Sequence, residues 1–536
     1  MSKDNGFIKG AAILGIAGVI VKILGAIYRI PLGNIIKPEG MGYYQTAYPF
    51  YQLLLTLSTA GVPVAIAKLV SEKSALRDYK SAYKVFRVAL IGLFIAGILT
   101  SSFVYFNAKA IVDSLDNPNA YYSLIALVPA LFFVPIMAAF RGYFQGRQNM
   151  VPTALSQISE QLFRVILGLA LTYLLLDYGI PIAAGGASFG GSIGAIAGIV
   201  TVFIIFISKK KEMNEEIKNS PVNKEYQVSE IVKDLLVIAI PITIGSAIAP
   251  IMDAIDASLV IKRLQLINYT GEVANELYGQ LKGYAQTLIN LPQVFSISIA
   301  MSLVPAISNA KARNQRREIE GLINSGTRIT LLIGLPCAFG LFVLARPIIA
   351  LLYFSNTPET ITSIGEILQY LSFGVIFLTL VQALTSMLQG LGKPLIPVVN
   401  LFIGAVVKVI LTYTLTVVPS INIKGAAIST VVAYAIASSL DFIALGVLTK
   451  MRFNYKDTFI KPLISSIGMA IIVRLSYVLL DGFIRSSLAT LVSVMVGVIA
   501  YVILLIVTGT ITHEDLALLP KGDKIAKKLD KYNLMK

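Results

Sequence analysis

Long apolar runs recur along the whole 536-residue chain and constrain its fold more than any other feature. Each is long enough to cross about 30 Å of hydrocarbon as an α-helix. We predict fourteen such spans, at residues 8–32, 43–67, 85–106, 121–140, 152–176, 183–207, 234–261, 283–308, 326–353, 362–389, 395–418, 425–449, 461–480 and 486–509. An all-α polytopic membrane protein is expected, and the composition of 56% hydrophobic and 14% charged residues agrees with that class.

Lys and Arg residues in the connecting segments set the predicted orientation. With the amino terminus in the cytoplasm, the cytoplasmic segments carry about four times as many of these cations as the opposite segments. We therefore predict a multi-pass protein of the cytoplasmic membrane with both termini in the cytoplasm. The same bias accounts for the formal charge of +16. It predicts contacts with anionic membrane lipids, so the basic runs need no nucleic acid.

Cysteine and histidine are each represented once, by Cys337 and His513. Disulfides and Cys/His metal sites are therefore excluded. No glycine-rich phosphate loop of the Walker type occurs, and no long polar stretch could house an ATPase. We expect no metal and no bound cofactor, and transport coupled to the membrane potential, Na⁺ or H⁺.

The two halves of the chain repeat with an offset of about 240 residues. Three landmarks share it: Val62-Pro63 with Val304-Pro305, Gln145-Gly146 with Gln389-Gly390, and Arg164 with Lys408. Because each repeat has an even number of helices, both enter the membrane in the same direction and pair around an axis along the membrane normal, as in transporters. We predict an amino-terminal lobe at 1–222, a carboxy-terminal lobe at 223–455, an added helix hairpin at 456–510 and a basic cytoplasmic tail at 511–536.

Span one carries two cations within the membrane, Lys22 and Arg29. A cation at that depth is costly unless it faces a cavity or a partner. A separation of seven residues is nearly two helical turns, so one face carries both, together with Gly15, Gly18 and Gly25. This small and positive face indicates that the protein handles an anionic group inside the membrane.

Polar stripes on other spans add candidate substrate-binding residues. They are Arg164 on span five, Gln286 and Asn290 on span eight, and Lys408 on span eleven. Packing is the alternative for the two amides, because amides also join helices in lipid. Glu160, one turn before Arg164, would neutralise that arginine. Lys408 has no acid within a turn and is expected to face the cavity.

Acidic side chains are sparse within the spans. Asp253 and Asp256 are i, i+3 neighbours on one face of span seven. They either neutralise intramembrane cations or form a Na⁺ or proton site that couples transport. Together with Glu160 they are the candidate ion-coupling residues, and the pattern leaves both interpretations open.

Three segments resemble the stage V sporulation protein B/YtgP group of polysaccharide-biosynthesis membrane proteins: FIKGAAILGIAGVIVKILGAIYRIPLGNIIKPEGMGYYQ, YPFYQLLLTLSTAGVPVAIAKLVSEK and RGYFQGRQNMVPTALSQISEQLFRV. This group belongs with the MurJ lipid II flippases in the multidrug/oligosaccharidyl-lipid/polysaccharide exporter superfamily. The resemblance implies a bacterial flippase that carries lipid II, an undecaprenyl-pyrophosphate-linked peptidoglycan precursor, by alternating access. It also implies a cationic cavity for the pyrophosphate and a lipid-tail groove formed by spans thirteen and fourteen. We expect it to act as a monomer.

Cationic positions of the MurJ family carry over only in part. Lys22 matches an arginine of helix one with its charge kept. Tyr28 stands at the second position, with Arg29 one residue late. The third and fourth positions fall near Leu53 and Thr287, which are uncharged. Lys408 and Arg164 are the candidates to replace the missing charge.

Three other functions compete with lipid II transport. A flippase for another undecaprenyl-linked glycan, as in teichoic acid, capsule or spore-cortex pathways, would share the pyrophosphate. A multidrug exporter would bind cationic drugs and need membrane acids, whereas span one offers only cations. An enzyme such as a membrane glycosyltransferase would need an acidic catalytic loop at the interface, and none stands out. We predict that the chain is not an enzyme.

Overall fold

The computed structural model describes residues 3–221, 226–451 and 454–510, and no β-strand occurs within those ranges. The all-α prediction is therefore confirmed for the described chain. The predicted tail at 511–536, with His513, lies outside the described residues.

Residues up to Gly279 form nine described α-helices. They are α1 (Lys3–Thr59), α2 (Val62–Ala75), α3 (Tyr79–Ser114), α4 (Tyr121–Ile125), α5 (Val128–Gly146), α6 (Val151–Leu174), α7 (Ile180–Lys218), α8 (Val228–Gln265) and α9 (Gly271–Gly279). The helices that follow are α10 (Gln286–Ile289), α11 (Gln293–Ala312), α12 (Arg316–Val343), α13 (Ala345–Leu352), α14 (Pro358–Ser372), α15 (Gly374–Gly390), α16 (Leu395–Leu415), α17 (Ile423–Thr449), α18 (Lys461–Asp481) and α19 (Ser486–Val507). π-Helical turns occupy Gln280–Ala285 and Lys456–Ile460.

In the described part of the chain, 12 helices are long and apolar enough to cross a membrane, or up to 13 if the bent pair α14 and α15 is one span. The predicted number of fourteen is not confirmed, although it is close. One difference arises because Ile13–Ala75 counts as a single candidate of 63 residues, far longer than the roughly 20 residues that one crossing needs. Lys37, at φ 58° and ψ −178°, breaks α1 between the predicted spans one and two.

Predicted span eight, at 283–308, is not one continuous α-helix. A π-helical turn ends at Ala285, α10 covers four residues, and α11 begins only at Gln293. Pro292 explains the break, because proline donates no backbone hydrogen bond and disfavours helical conformation in the residue before it. Unpaired backbone at membrane depth is tolerated where protein or a cavity surrounds it.

Contacts between helices divide the chain into two compact units, Met1–Gly279 and Gln280–Lys536. The first unit thus includes α8, which the sequence assigned to the second lobe. Packing density and internal symmetry are different properties, so this division does not test the predicted lobes at 1–222 and 223–455. Those lobes and the separate hairpin at 456–510 stay predictions.

Helix α8 packs closely on the other helices of the first unit. The Gly61 amide donates to the Thr243 hydroxyl at 3.1 Å, and a Cβ on Gly61 would collide with the Ala239 carbonyl. Ile231, Leu235 and Ala239 enter an apolar cluster formed by α2, α3, α5 and α7. The first half of α8 is therefore held against α2, α3, α5 and α7 of the first unit.

Helices α6 and α7 approach each other backbone to backbone. A Cβ on Gly190 would lie 2.5 Å from the Gly168 Cα atom, and one on Gly194 would collide with the Glu160 carbonyl. Small residues permit this close packing of membrane helices. The contact fixes Glu160 and Arg164 against α7.

Amide side chains join three segments at one end of the first unit. The Asn117 amide donates to the Thr46 hydroxyl at 2.9 Å and to Asn275 Oδ1 at 2.7 Å. The Asn275 amide in turn donates to the Glu39 carbonyl at 2.9 Å. Glu39, Asn117 and Asn275 follow predicted spans one, three and seven, and Thr46 lies at the start of span two. The predicted alternation of spans places all of them at the same side of the membrane.

In the second unit, the α18–α19 hairpin packs against α12. The Tyr501 hydroxyl donates to the Leu332 carbonyl at 2.9 Å. Leu344, Met469, Val473, Tyr501 and Leu505 form the buried cluster beneath this contact. The hairpin is thus an integral part of the second unit.

Candidate anion-binding site

Two arginines share one carboxylate within the first unit. Arg141 donates through Nη2 to Glu160 Oε2 at 3.0 Å and through Nε to the Ser156 hydroxyl at 2.8 Å. Arg164 Nη2 lies 3.6 Å from Glu160 Oε1. The exposed fractions of the three charged side chains are only 15–19%. Two cations and one anion leave one net positive charge in this enclosed position.

Local helix geometry places these three charges together. Glu160 and Arg164 are one turn apart on α6, as their spacing predicted. Arg141 lies five residues before the end of α5, and Glu160 lies nine residues after α6 begins. The short turn between the two helices therefore returns Glu160 to within about one helical turn of the depth of Arg141.

Arg141 is not among the predicted site residues, because it immediately follows predicted span four, where the sequence indicates a cytoplasmic loop. The sequence does indicate that Arg141 lies only a few residues before the turn between α5 and α6, close enough to reach the next helix. A long cation near the end of one helix can reach an acid at similar depth on the next helix when the connection is short.

One donor of Arg164 lacks an acceptor. Its Nε atom is buried and has no hydrogen-bond partner. An arginine has five donor hydrogens in a rigid fork, and a buried donor without an acceptor costs about 1–3 kcal/mol. A Cβ on the nearby Gly191 would lie 3.7 Å from this nitrogen, so the absence of a side chain at Gly191 leaves space beside the Nε atom. Arg164 is therefore prepared to accept an additional anionic partner.

Three tyrosines of α1 lie near Arg164. The rings of Tyr44 and Tyr48 stack with centroids 5.7 Å apart, and the ring of Tyr51 lies 5.8 Å from that of Tyr48. All three are close enough to Arg164 to interact with it electrostatically. Their spacing of four and then three residues places them on one helix face, so the sequence itself contains the pattern of this tyrosine cluster.

Tyr28 has a packing role at the position where the MurJ family carries an arginine. It is buried, and its hydroxyl donates to the Ala187 carbonyl of α7 at 2.9 Å. A Cβ on Gly168 would lie 3.0 Å from that hydroxyl. Tyr28 thus fixes α1 to α6 and α7 without supplying charge.

The two predicted cations of span one differ in environment. Lys22 is exposed and makes no ion pair or hydrogen bond with any residue that the structure describes. One turn further along α1, a Cβ on Gly25 would lie 3.4 Å from the amide of Gln161, which is itself one turn from Arg164. Arg29 is half-buried and interacts electrostatically with Tyr28 and Tyr44, as Arg164 does. The first unit therefore groups Arg29 with Arg164 around shared tyrosines.

The candidate ion-coupling acids occupy different surroundings. Asp256 is buried on α8, Asp253 is half-buried one turn before it, and both take part in polar or electrostatic contacts. Glu160 is held by the two arginines. No group of three or more His, Cys, Asp or Glu side chains suited to a metal ion occurs among the described residues.

The second unit contains the remaining predicted residues. Lys408 is buried on α16 and takes part in polar or electrostatic contacts. Next to it, Thr412 shares a 2.6 Å hydrogen bond with Ser429 of α17. Gln286 and Asn290 are half-buried and border the break before α11, and the Gln286 side-chain oxygen has no hydrogen-bond partner. Whether these three residues share a cavity with those of the first unit stays a prediction.

Asp441 is a buried acid of the second unit that is held by neutral groups. It lies on α17 and is 1% exposed. The Asn400 amide donates to Oδ1 at 2.8 Å, and the Thr385 hydroxyl is 3.5 Å from Oδ2. Asp441 forms no salt bridge with a cation in the described chain.

Comparison with known proteins places this geometry in context. The family described as "Polysaccharide biosynthesis protein" matches residues 7–311, and the MatE family matches residues 282–414. Stage V sporulation protein B of Bacillus subtilis (strain 168) is 30% identical over 543 residues, covering 97% of this chain and 98% of that protein. Lipid II flippase MurJ of the same organism is 26% identical over 450 residues and covers 82% of each chain.

A solved structure has the same fold. "Lipid II flippase MurJ, inward closed conformation" superposes with a TM-score of 0.69 at 18% sequence identity, covering 91% of this chain and 97% of that one. The fold implied by the sequence resemblance is therefore confirmed.

Proposed function

Because the chain belongs to the polysaccharide biosynthesis protein family, we propose that it is a flippase for a lipid-linked oligosaccharide. The proposed substrate is lipid II, moved by alternating access across the bacterial cytoplasmic membrane. The observation that carries this proposal is the pair of enclosed arginines, Arg141 and Arg164, on the single carboxylate of Glu160. A net cation with a spare buried donor is suited to a phosphate group.

We propose that the protein binds the pyrophosphate by replacing its hydration water with fixed cations and hydrogen-bond donors. A pyrophosphate brings roughly two negative charges, and it enters a low-dielectric cavity only if fixed cations and donors replace its water. Arg164 offers its unsatisfied Nε atom, and arginine forks match phosphate oxygens in pairs. Lys22, which has no carboxylate partner in the described chain, is the proposed second cation. Arg29, Lys408, Gln286 and Asn290 remain proposed contributors to the same cavity.

Glu160 supplies a route to ion coupling. An anion bound to Arg141 and Arg164 competes with Glu160 for their donors. The released carboxylate then favours taking up a proton or Na⁺, so that substrate and cation occupy the protein together. Asp253 and Asp256 are the other proposed coupling acids. The membrane potential would act on the net charge carried through this cycle, at about 2.3 kcal/mol per charge for 100 mV.

Topology gives this cycle a direction. We propose that both termini lie in the cytoplasm, on the basis of the lysine and arginine bias. Substrate would then bind from the cytoplasmic leaflet and leave from the outer leaflet, with α18 and α19 guiding the lipid tail and anionic lipids surrounding the protein. A monomer suffices for this cycle.

A second candidate is a flippase for another undecaprenyl-linked glycan. Tyr28 favours it, because this buried packing residue stands where the MurJ family carries a charge. The relative named stage V sporulation protein B also matches more of this chain than the MurJ relative does. The pyrophosphate chemistry is the same for both candidates. Export of cationic drugs is disfavoured by the net positive site.

Complementation distinguishes these candidates. The chain is expressed in a bacterial strain depleted of its lipid II flippase, and restored growth with normal cell shape is the expected result. The same strain without the expressed chain is the negative control. Failure of the wild-type chain to restore growth, together with rescue of a strain that lacks a flippase for a different undecaprenyl-linked glycan, would assign the second function.

A further inference from the structure

A polar cavity of about 630 Å³ lies within the second unit, beside the added hairpin. The end of α12, helices α13 and α14, the end of α18 and the start of α19 enclose it. Its charged lining residues are Arg346, Arg474 and Asp481. None of its lining residues belongs to the candidate anion-binding site described above.

The arginines give this cavity a net positive charge. Neither Arg346 nor Arg474 forms a salt bridge with a carboxylate in the described part of the chain. Asp481 accepts a hydrogen bond from the Tyr477 hydroxyl. Both guanidinium groups therefore keep their donors available for a ligand.

The start of α19 adds further donors. Ser486 is the first residue of this helix, and no side chain of the preceding Arg485 caps it. Ser486 and Ser487 both line the cavity. The first backbone N–H groups of a long helix have no partner within the helix and favour an anion. The Ser486 hydroxyl is hydrogen-bonded to Tyr477, so the arginine donors, the Ser487 hydroxyl and the helix terminus are the groups that converge on one space.

Exposed apolar side chains follow two of the cavity-lining residues, Arg474 and Tyr477, along α18. Arg474 lies seven residues before the end of α18, about 10 Å along the helix axis. Leu475, Val478 and Leu479 on the same helix are 58%, 57% and 65% exposed. A ligand with an anionic head in the cavity could therefore rest its hydrocarbon chains on this face, which a free anion would not use.

We propose that this cavity binds the phosphate group of an anionic membrane lipid. Arg346 and Arg474 would engage the phosphate oxygens, because paired guanidinium contacts are strong and geometrically matched to phosphate. The lipid would join α13 and α14 to the α18–α19 hairpin. The cavity shares no residue with the candidate anion-binding site of the first unit, and the test of the proposal does not require transport.

Native mass spectrometry of the full-length protein in detergent provides the test, with phosphatidylglycerol as the probe. The Arg346→Gln/Arg474→Gln variant is expected to bind its first phosphatidylglycerol at least about tenfold more weakly than the wild type. Arg474→Lys should lie between the two, because it keeps the charge and loses the fork. The matched control is Arg313→Gln/Arg317→Gln, which removes the same charge from exposed positions outside the cavity and should bind like the wild type.

Two further arms identify the chemistry. Diacylglycerol with the same acyl chains lacks the phosphate and is expected not to bind at this site, and inorganic phosphate is expected not to displace phosphatidylglycerol. Equal affinity of the double variant and the wild type, or equal binding of diacylglycerol, would overturn the proposal. Displacement by inorganic phosphate would overturn the lipid as ligand and assign a soluble anion instead.

Discussion

Arg141 and Glu160 lie on consecutive helices and are joined by a 3.0 Å contact between guanidinium and carboxylate. Arg164 reaches the same carboxylate from the other side. One carboxylate cannot neutralise two enclosed cations, so a net positive charge remains. The Nε atom of Arg164 is correspondingly buried without a hydrogen-bond acceptor. An incoming anion would find donors that are already desolvated and oriented.

Removing Arg141 should impair transport. Arg141→Gln lowers the local charge from one positive to zero and takes away donors worth about 1.5–3 kcal/mol for a charged acceptor. The initial rate of lipid II translocation into the opposite leaflet of proteoliposomes should fall about 10-fold to 100-fold. Arg313→Gln, at an exposed position, serves as the control and should leave the rate unchanged.

A charge-compensated variant tests the mechanism behind this result. Arg141→Gln/Glu160→Gln restores one net positive charge and should recover part of the lost substrate binding. Glu160→Gln alone should bind substrate at least as well as the wild type but transport it without the dependence on Na⁺ or pH. If the double variant bound substrate no better than Arg141→Gln, local charge would not govern the site.

Transport should depend on a positive charge at position 22 more than on the shape of the lysine ammonium group. Lys22→Ala is expected to abolish rescue of a flippase-depleted strain, whereas Lys22→Arg should keep substantial activity, since the corresponding family position carries an arginine. Lys109→Ala, on an exposed face of α3, is the matched control. Growth is compared at equal membrane levels. Full rescue by Lys22→Ala would contradict an anion-binding role for Lys22 and would indicate that this face of α1 serves only in helix packing.

Asn117 should stabilise the folded protein. Asn117→Ala removes two hydrogen bonds and leaves the buried Asn275 Oδ1 without the donor at 2.7 Å. An unsatisfied buried acceptor costs about 1–3 kcal/mol, so the thermal midpoint of the purified protein should fall. Asn107→Ala removes an amide that donates to Phe103 on an exposed surface and should change the midpoint much less. Equal shifts would mean that the bonds to Asn117 contribute little.

Glu276 should make stability depend on pH. Burial, together with the nearby charges of Glu39 and Glu272, raises the pKa of this carboxyl on α9. A raised folded-state pKa means that the contribution to stability is fully present below the unfolded-state pKa and is lost as pH rises through the folded-state pKa. Glu276→Gln should therefore raise the thermal midpoint at pH 7, and its advantage over the wild type should vanish as the pH falls below about 4.

Exposed Glu318 provides the control for this pH dependence. Glu318→Gln removes one negative charge from the surface of α12 without relieving burial. Its midpoint should follow that of the wild type across the pH range. A Glu276→Gln advantage that persisted unchanged at low pH would assign the effect to packing.

Much of the fold could be predicted because membrane helices are specified by local composition. The apolar runs identified the helices, and a spacing of four residues identified the contact between Glu160 and Arg164. Average hydropathy does not report local backbone conformation, however. It therefore missed the left-handed backbone of Lys37 within α1 and the break at Pro292.

The candidate site was predicted less completely, because its members meet through tertiary packing. Arg141 reaches Glu160 across a turn between helices, a contact that no single helical face encodes. Tyr28 could be recognised as a substitution for charge, but its hydrogen bond to Ala187 depends on the approach of α7. Spacing within a helix is a local property, whereas partners on other helices depend on the whole arrangement.

The glycine contact between α6 and α7 limits how the first unit can deform. Main chain meets main chain at Gly190 and Gly194, so one helix cannot slide along the other without first lifting off it. The two helices should therefore move as one rigid body, so that the positions of Glu160 and Arg164 relative to α7 stay the same throughout a transport cycle. Gly18 of α1 has no atom within 4 Å of where its Cβ would be, so displacement is mechanically easier on that face.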